Sequence, residues 1–130
     1  MSSPSSRFSS YPSDPQIAQI KLPPHSLEAE QSLIGGVLLD NQAWERIADI
    51  VSEGDFYRDD HRRIYRQITR LIDQGRPADV VTVFESLEKN GEAEQAGGLA
   101  YLAEIANNTP SAANIRRYAE IVRERSILRK

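Results

Sequence analysis

Apolar residues recur at helical spacing from residue 27 onwards, and this pattern predicts a chain built of helices. In the first segment Leu27, Ile34 and Leu38 share one helical face with Gln31, a spacing typical of an amphipathic helix. Ser26 directly precedes the segment and is the predicted N-cap, because its hydroxyl can accept a hydrogen bond from an unpaired backbone N–H. The first predicted helix therefore begins after Ser26.

Two adjacent glycines, Gly35 and Gly36, lie inside this first apolar period. Each costs roughly 1 kcal/mol relative to Ala in a helix interior. In one interpretation the helix ends at Gly35, and residues 37–39 form a short strand or turn. In the other, the bare backbone lets a second helix approach closely. We favour close helix packing, because the apolar period continues through both glycines.

Five later segments also have helical spacing and are separated by stop signals. They run from Asp40-Asn41 to residues 52–54, from Asp59 and Asp60 to Gly75, over residues 79–90, from Gly98 to Asn107-Asn108, and from Thr109 with Pro110 to Lys130. Trp44, in the first of these, is interpreted as a core anchor rather than as a stacking surface for a ligand.

Residues 79–90 are the ambiguous segment, because the β-branched run over residues 80–83 is typical of a strand. However, Asp79 is a good N-cap, Val80 and Val83 share a helical face, and Asn90-Gly91 is a stop signal. A single strand would also have no sheet with which to pair. The segment is therefore predicted to be a helix.

The last two segments are predicted to form an αα-hairpin. In the final helix Ile115, Ala119 and Val122 form one apolar stripe, whereas Ile121 and Leu128, seven residues apart, form a second. One helix of a short hairpin can bury only one such stripe locally. Self-association through Ile121 and Leu128 is therefore predicted. Since the pattern is unfinished at the end of the sequence, we expect the chain to be part of a longer protein.

The predicted fold class is all-α, with three units along the chain. Residues 1–21 form a Ser/Pro-rich tail, which is expected to be disordered because it contains too few apolar residues to offset its ordering entropy. Residues 22–96 form a compact multi-helix globular head, and residues 97–130 form the C-terminal helical hairpin.

Composition and motifs narrow the function to an interaction module rather than an enzyme. The formal net charge of −3 argues against a nucleic-acid-binding surface over the whole domain. The absence of cysteine excludes a thiolate metal site, and neither His25 nor His61 has a second His or Cys at ligand spacing. The sequence contains no phosphate-binding GxxxxGK[ST] loop and no apolar run near the roughly 20 residues of a membrane span.

The last predicted helix is rich in cations, which have two interpretations. The cations are Arg116, Arg117, Arg123, Arg125, Arg129 and Lys130. Glu120 and Glu124 on the same helix favour a solvated, charge-paired face. The alternative is a stripe that binds the phosphates of a nucleic acid.

Three segments of the chain carry a family resemblance. They read PPHSLEAEQSLIGGVLLDN from residue 23, DFYRDDHRRIY from residue 55, and GGLAYLAEIANNTPSAANI from residue 97, with YAEIVRER following from residue 118. Together, and in this order, they resemble the N-terminal domain of the bacterial replicative DNA helicase, the DnaB family. The resemblance covers about residues 20–130 and does not include the Ser/Pro-rich tail.

The resemblance implies a collar domain in which hairpins pair head to head, three pairs standing above a hexameric ATPase ring. It implies docking of the C-terminal domain of primase at the replication fork, with a helicase loader as a further candidate partner. It places ATP and Mg²⁺ in the ATPase domain, so this segment is expected to need no cofactor, to hydrolyse no ATP and to bind DNA weakly or not at all. The implied location is the bacterial cytoplasm, at the nucleoid during replication. A small helical DNA-binding module is the competing hypothesis.

Tyr101 and Glu28 are the predicted primase contacts. Tyr101 lies off the stripe formed by Leu99, Leu102 and Ile105, where a large aromatic side chain can be a contact hot spot. Its alternative is a ring that lies flat over its own domain. Glu28 is in the first turn of a helix, where its interaction with the helix dipole is modest, so it can also meet a basic group. A purely helix-capping role is the alternative for Glu28.

Overall fold

The computed structural model describes residues 25–130, and within this range the chain forms five α-helices and no strand. The helices are α1 (Leu27–Leu39), α2 (Asp59–Asp73), α3 (Val80–Lys89), α4 (Gly98–Asn108) and α5 (Ile115–Arg129). Two 3-10 helices, Asn41–Arg46 and Glu53–Asp55, lie between α1 and α2. The all-α prediction is confirmed. The tail predicted over residues 1–21 lies outside the described residues.

Helix α1 is central to the domain, because α4 and α5 both pack along it and α2 also contacts it, whereas α3 packs on α2 and α4. It begins as predicted, with the Ser26 hydroxyl accepting a hydrogen bond from the Ala29 N–H at 3.3 Å. Its core-facing side chains are buried: Leu33, Ile34, Val37 and Leu38.

Gly35 and Gly36 lie mid-helix, where α1 meets the end of α4 and the start of α5. A Cβ atom at Gly35 would stand 2.0 Å from the Thr109 Oγ1 and 3.0 Å from the Ile105 carbonyl oxygen. A Cβ atom at Gly36 would stand 2.9 Å from the Ile115 Cδ1. Non-bonded carbon atoms normally rest about 3.5–4.0 Å apart. Helix α1 therefore continues through both glycines, and at Gly35 its neighbours approach the bare backbone.

The last helix begins later than the sequence predicted. The expected start at Thr109 and Pro110 is wrong, because Thr109 is the C-cap of α4 and its hydroxyl donates to the Ile105 carbonyl at 2.9 Å. That side chain is occupied at the end of one helix and packed against Gly35, so it cannot cap the next. A turn over residues 113–114 intervenes before α5 begins at Ile115.

The segment after α1 also differs from the prediction, being a 3-10 helix followed by turns rather than one α-helix through residue 51. The Asn41 amide bridges the carbonyls of Val37 and Ala78 at 2.8 Å each, and its oxygen accepts from the Ala78 N–H. These bonds tie the start of the segment to the end of α1 and to the residues just before α3. The half-buried Trp44 lies 5.2 Å from the Tyr65 ring, as expected of a core anchor.

Helix α3 confirms the helical interpretation of residues 79–90, with the Asp79 carboxylate accepting from the Thr82 N–H at 2.9 Å. The predicted cap of α2 is shifted by one residue, since Arg58 is the N-cap and Asp59 is already helical. One buried core draws on all five helices, and from α4 and α5 it includes Leu102, Ile105, Ile115, Ala119 and Val122. The division at residues 22–96 and 97–130 stays a prediction.

Candidate partner-binding surface

A buried polar cluster lies where α1, α2 and α4 meet. The Nδ1 atom of His61 lies 2.7 Å from a carboxylate oxygen of Glu30, and its Nε2 lies 2.7 Å from the Tyr101 hydroxyl. The Glu30 carboxylate also accepts from the Tyr57 N–H at 2.7 Å. His61 is 0% and Glu30 2% exposed. These hydrogen bonds therefore replace the water that the buried groups would otherwise require.

Tyr101 is the member of this cluster that reaches the surface. Its ring is half-buried and stacks on the His61 ring, with centroids 5.9 Å apart and planes inclined by 5°. The Gln31 amide donates to its hydroxyl at 3.1 Å, and the Arg58 guanidinium lies 5.9 Å from the ring centroid. Burial raises the pKa of the Tyr101 phenol, against the opposing effect of the Gln31 hydrogen bond. Tyr101 therefore lies over its own domain, as a protonated and firmly held ring.

A cleft of about 180 Å³ separates α1 from α4 beside Tyr101. Its lining consists of Glu28, Gln31, Ser32, Glu104, Ile105, Asn108 and Thr109. Glu28 is exposed, and within residues 25–130 neither it nor Glu104 pairs with a cation. Gln31 follows Glu28 by one turn and binds Tyr101, while Glu104 follows Tyr101 by one turn. Glu28 thus lines the cleft, and Tyr101 lies next to it, joined to the lining residue Gln31 by a hydrogen bond.

The outer surface of α5 carries the residues predicted to self-associate, but they differ in exposure. Leu128 is 65% exposed and its neighbour Ile127 is 54% exposed. Ile121 is only half-buried and packs against the core of its own domain. The exposed apolar surface near the end of α5 is therefore formed by Ile127 and Leu128, with Ile121 at its inner edge.

Helix α5 is attached to the rest of the domain through the buried carboxylate of Asp55. This carboxylate accepts from Arg123 at 2.9 Å, from the Ser126 hydroxyl at 2.7 Å and from the Ser52 N–H at 2.9 Å. Burial alone would raise the pKa of Asp55, but the hydrogen bonds from Ser52, Ser126 and Arg123 hold that pKa below its ordinary value. Asp55 is therefore an ionised anchor for α5.

Other cations of α5 are also engaged with neighbouring groups. Arg129 donates to the Asp55 carbonyl at 2.7 Å and lies 5.4 Å from the centroid of the Tyr57 ring. Arg116 and Arg117 pair with Glu120, and Arg125 pairs with Glu124, at 3.5 to 3.8 Å. This arrangement is a charge-paired face and not a continuous stripe of cations available for phosphates.

The sequence reasoning missed Glu30 and His61. Glu30 was not singled out, and His61 was considered only as a metal ligand. A signal was available, because His61 precedes Ile64 by three residues and Ile68 by seven, which puts it on the apolar face of α2. A charged or titratable residue on a core-facing stripe requires a buried partner.

Metal binding and membrane crossing find no support in the part of the chain that the structure describes. Among residues 25–130, His, Cys, Asp and Glu side chains form no group of three or more arranged to hold a metal ion. Over the same range, each helix is too short or too polar to cross a membrane.

The matches of this chain to known proteins agree with one another. The family model described as the DnaB-like helicase N-terminal domain matches residues 22–124. The replicative DNA helicase DnaB of Haemophilus influenzae is 48% identical over 118 residues, which cover 91% of this chain and 25% of that protein. The corresponding protein of Geobacillus stearothermophilus is 43% identical over 110 residues, covering 85% of this chain and 24% of the relative.

A solved structure agrees with these matches in fold. The N-terminal domain of DnaB helicase from Mycobacterium tuberculosis superposes with a TM-score of 0.81 at 42% sequence identity. The match covers 83% of this chain and 75% of that one. The chain thus spans about a quarter of the length of the curated relatives and most of one solved domain.

Proposed function

This chain belongs to the family of DnaB-like helicase N-terminal domains, and on that premise we propose that it is the collar domain of a replicative DNA helicase. In this role it assembles the helicase ring and recruits primase at the replication fork, in the bacterial cytoplasm. ATP-driven unwinding, with its ATP and Mg²⁺, belongs under this proposal to the portion of the relatives that this chain does not cover.

The observation that carries primase recruitment is the cleft lined by Glu28, together with Tyr101 beside it. Tyr101 is held by hydrogen bonds to His61 and Gln31, so little side-chain freedom remains to be lost when a partner binds. Glu28 and Glu104 line the same cleft without an internal cation. An ordered aromatic ring beside two available carboxylates suits a partner surface that presents an apolar patch and a basic side chain.

Ring assembly is supported by the exposed end of α5. Ile127 and Leu128 are apolar side chains mostly open to solvent, and Ile121 lies at the inner edge of the same surface. Under this proposal two copies pair through these residues, and three such pairs form the hexamer of the full-length protein. A helicase loader remains a candidate partner for which no particular surface is assigned.

The alternative function, a small DNA-binding module, has no observation in its favour. Five of its six candidate cations on α5, all except Lys130, contact Asp55, Glu120 or Glu124. The net charge of −3 also gives no general attraction to phosphates. Weak or absent DNA binding by this domain is therefore part of the proposal.

Calorimetric titration with the C-terminal domain of primase tests the proposed contact. Tyr101→Ala and Glu28→Ala should each lower affinity about fivefold or more, as truncation of a contact residue costing more than about 1 kcal/mol does. Glu85→Ala is the matched control, because Glu85 is an exposed glutamate on α3 outside the cleft lining, and it should bind normally. Wild-type affinity in both test variants, with circular dichroism unchanged, would place the primase interface elsewhere.

A further inference from the structure

The orientation of Tyr101 depends on groups from two other helices. One arrangement of hydrogens satisfies the whole chain of contacts: the Gln31 amide donates to the Tyr101 hydroxyl, which donates to His61 Nε2, while His61 Nδ1–H donates to Glu30. The Glu30 carboxylate is itself fixed by the Tyr57 N–H. The direction of the phenol is therefore determined by a buried pair that never reaches the surface.

Tyr101 is also restricted at its base. Gly97 has a φ of 92° and its bare Cα faces the start of the Tyr101 side chain, where a Cβ atom would lie 2.7 Å from the Tyr101 Cβ. The Asp60 carboxylate lies 3.8 Å from His61 Nε2 but is bound by the Arg58 guanidinium. It therefore does not compete strongly for the nitrogen that binds Tyr101. The Tyr101 side chain is therefore restricted both at its Cβ atom and at its hydroxyl.

An apolar pair of similar volume would fill the space of Glu30 and His61 without the cost of burying a carboxylate. Such a pair would pack but would give the Tyr101 hydroxyl no partner. Hydrogen bonds have strict preferences of distance and angle, so the polar pair fixes the ring in one orientation. The buried pair thus has a consequence at the surface that packing alone would not supply.

We propose that Glu30 and His61 are positioning residues, which fix Tyr101 in the orientation that primase binds and thereby set the affinity for primase. This inference rests on the proposed function, since Tyr101 is the proposed contact. His61 itself touches no partner under this proposal. It acts only through the side chain that it holds.

The test uses this chain with the C-terminal domain of primase. His61→Phe keeps a ring of similar size while removing both hydrogen bonds, and Tyr101→Phe removes only the hydroxyl that His61 holds. Each should weaken binding about fivefold, the effect of losing one net hydrogen bond. In a Tyr101→Ala background, His61→Phe should weaken binding no further. Leu71→Ala is the control. It removes buried volume from the same helix, but at a position ten residues, or about 15 Å along the helix, beyond His61.

NMR of the side chain at position 101 supplies a second readout that does not depend on primase. The χ1 couplings should report one rotamer in the wild-type chain and in Leu71→Ala, but averaged rotamers in His61→Phe and Tyr101→Phe. A single unchanged rotamer in the last two variants would overturn the positioning role, whatever primase does. Should His61→Phe fail to fold, Tyr101→Phe alone decides the question by the same two measurements.

The two proposals can fail separately. If Tyr101→Ala weakens primase binding while His61→Phe and Tyr101→Phe bind like the wild type, the positioning role is overturned and the contact stands. If Tyr101→Ala binds like the wild type, the proposed contact fails and so does the effect of His61 on affinity. A His61→Phe effect that persists in the Tyr101→Ala background would also overturn the inference.

Discussion

Substitution of Gly35 by alanine tests the close packing of α1 against the end of α4. In a helix interior Gly→Ala is worth roughly 1 kcal/mol of stability. Here the new Cβ would stand 2.0 Å from the Thr109 Oγ1 and 2.8 Å from its Cβ. Overpacking typically costs about 1–3 kcal/mol, and a contact this short belongs at the upper end. A net loss of about 1–2 kcal/mol is expected, which corresponds to a fall in Tm of roughly 10 °C.

Gly36→Ala is the matched control for this prediction. It adds the same methyl group one residue along the same helix, but its nearest neighbour is the Ile115 Cδ1 at 2.9 Å, the end of a flexible side chain that can move. We expect it to be close to neutral, because the helix-propensity gain offsets a small rearrangement. Urea and thermal unfolding followed by circular dichroism measure both variants.

Close packing at Gly35 would be refuted if Gly35→Ala were as stable as Gly36→Ala, or more stable than the wild type. Thr109→Ala provides a further check through a double-mutant cycle. Removal of the Thr109 hydroxyl should make Gly35→Ala less destabilising than it is in the wild-type background. Additive effects would mean that the two residues do not press against each other.

Two other predictions concern the Asp55 anchor of α5 and the exposed end of that helix. Because the folded pKa of Asp55 is depressed, its ionised form stabilises the fold above the unfolded pKa of about 3.9, and this contribution is lost as pH falls through the folded pKa. Asp55→Asn should lower the free energy of unfolding at pH 7 by about 1–3 kcal/mol. On acidification, the urea midpoint of this variant should fall less than that of the wild type. Parallel plots of urea midpoint against pH for the two proteins would contradict this. Leu128→Asp should lower the solution mass measured by light scattering, with helical circular dichroism intact. Ile121→Asp should also lower Tm, because Ile121 packs on the core; a wild-type chain that is monomeric at high micromolar concentration would contradict self-association.

The position of the helices could largely be predicted, because their signals are local. Ser26 and Asp79 cap the helices that follow them, and the apolar spacing of α2 and α3 is regular. The wrong predictions of helix starts arise where a residue with a local capping signal bonds to another partner in the fold. Thr109 followed by Pro110 has the local pattern of a helix start, yet the Thr109 hydroxyl bonds back to Ile105 and closes α4. Only the packing of α4 against Gly35 decides between these two uses.

The candidate surface was predicted in part. Glu28 and Tyr101 were selected from the sequence, with the family resemblance naming the partner. Although 73 positions separate them, Glu28 lines the cleft and Tyr101 hydrogen-bonds to Gln31 in its lining. The exposure of Leu128 follows from the second stripe of α5. Its companion Ile121 proved half-buried, because the local spacing of a stripe does not say how far a neighbouring element extends over it.

The sequence by itself determined the all-α class, most helix starts and the family, since caps, apolar spacing and motif order are properties of neighbouring residues. The tertiary structure alone decided what Glu30 and His61 do. They are 31 residues apart, and although His61 lies on the apolar face of α2, no neighbouring residue in the sequence identifies the partner of either one. Their meaning depends on burial, which excludes water and leaves each group only the partner that another helix brings within hydrogen-bonding distance.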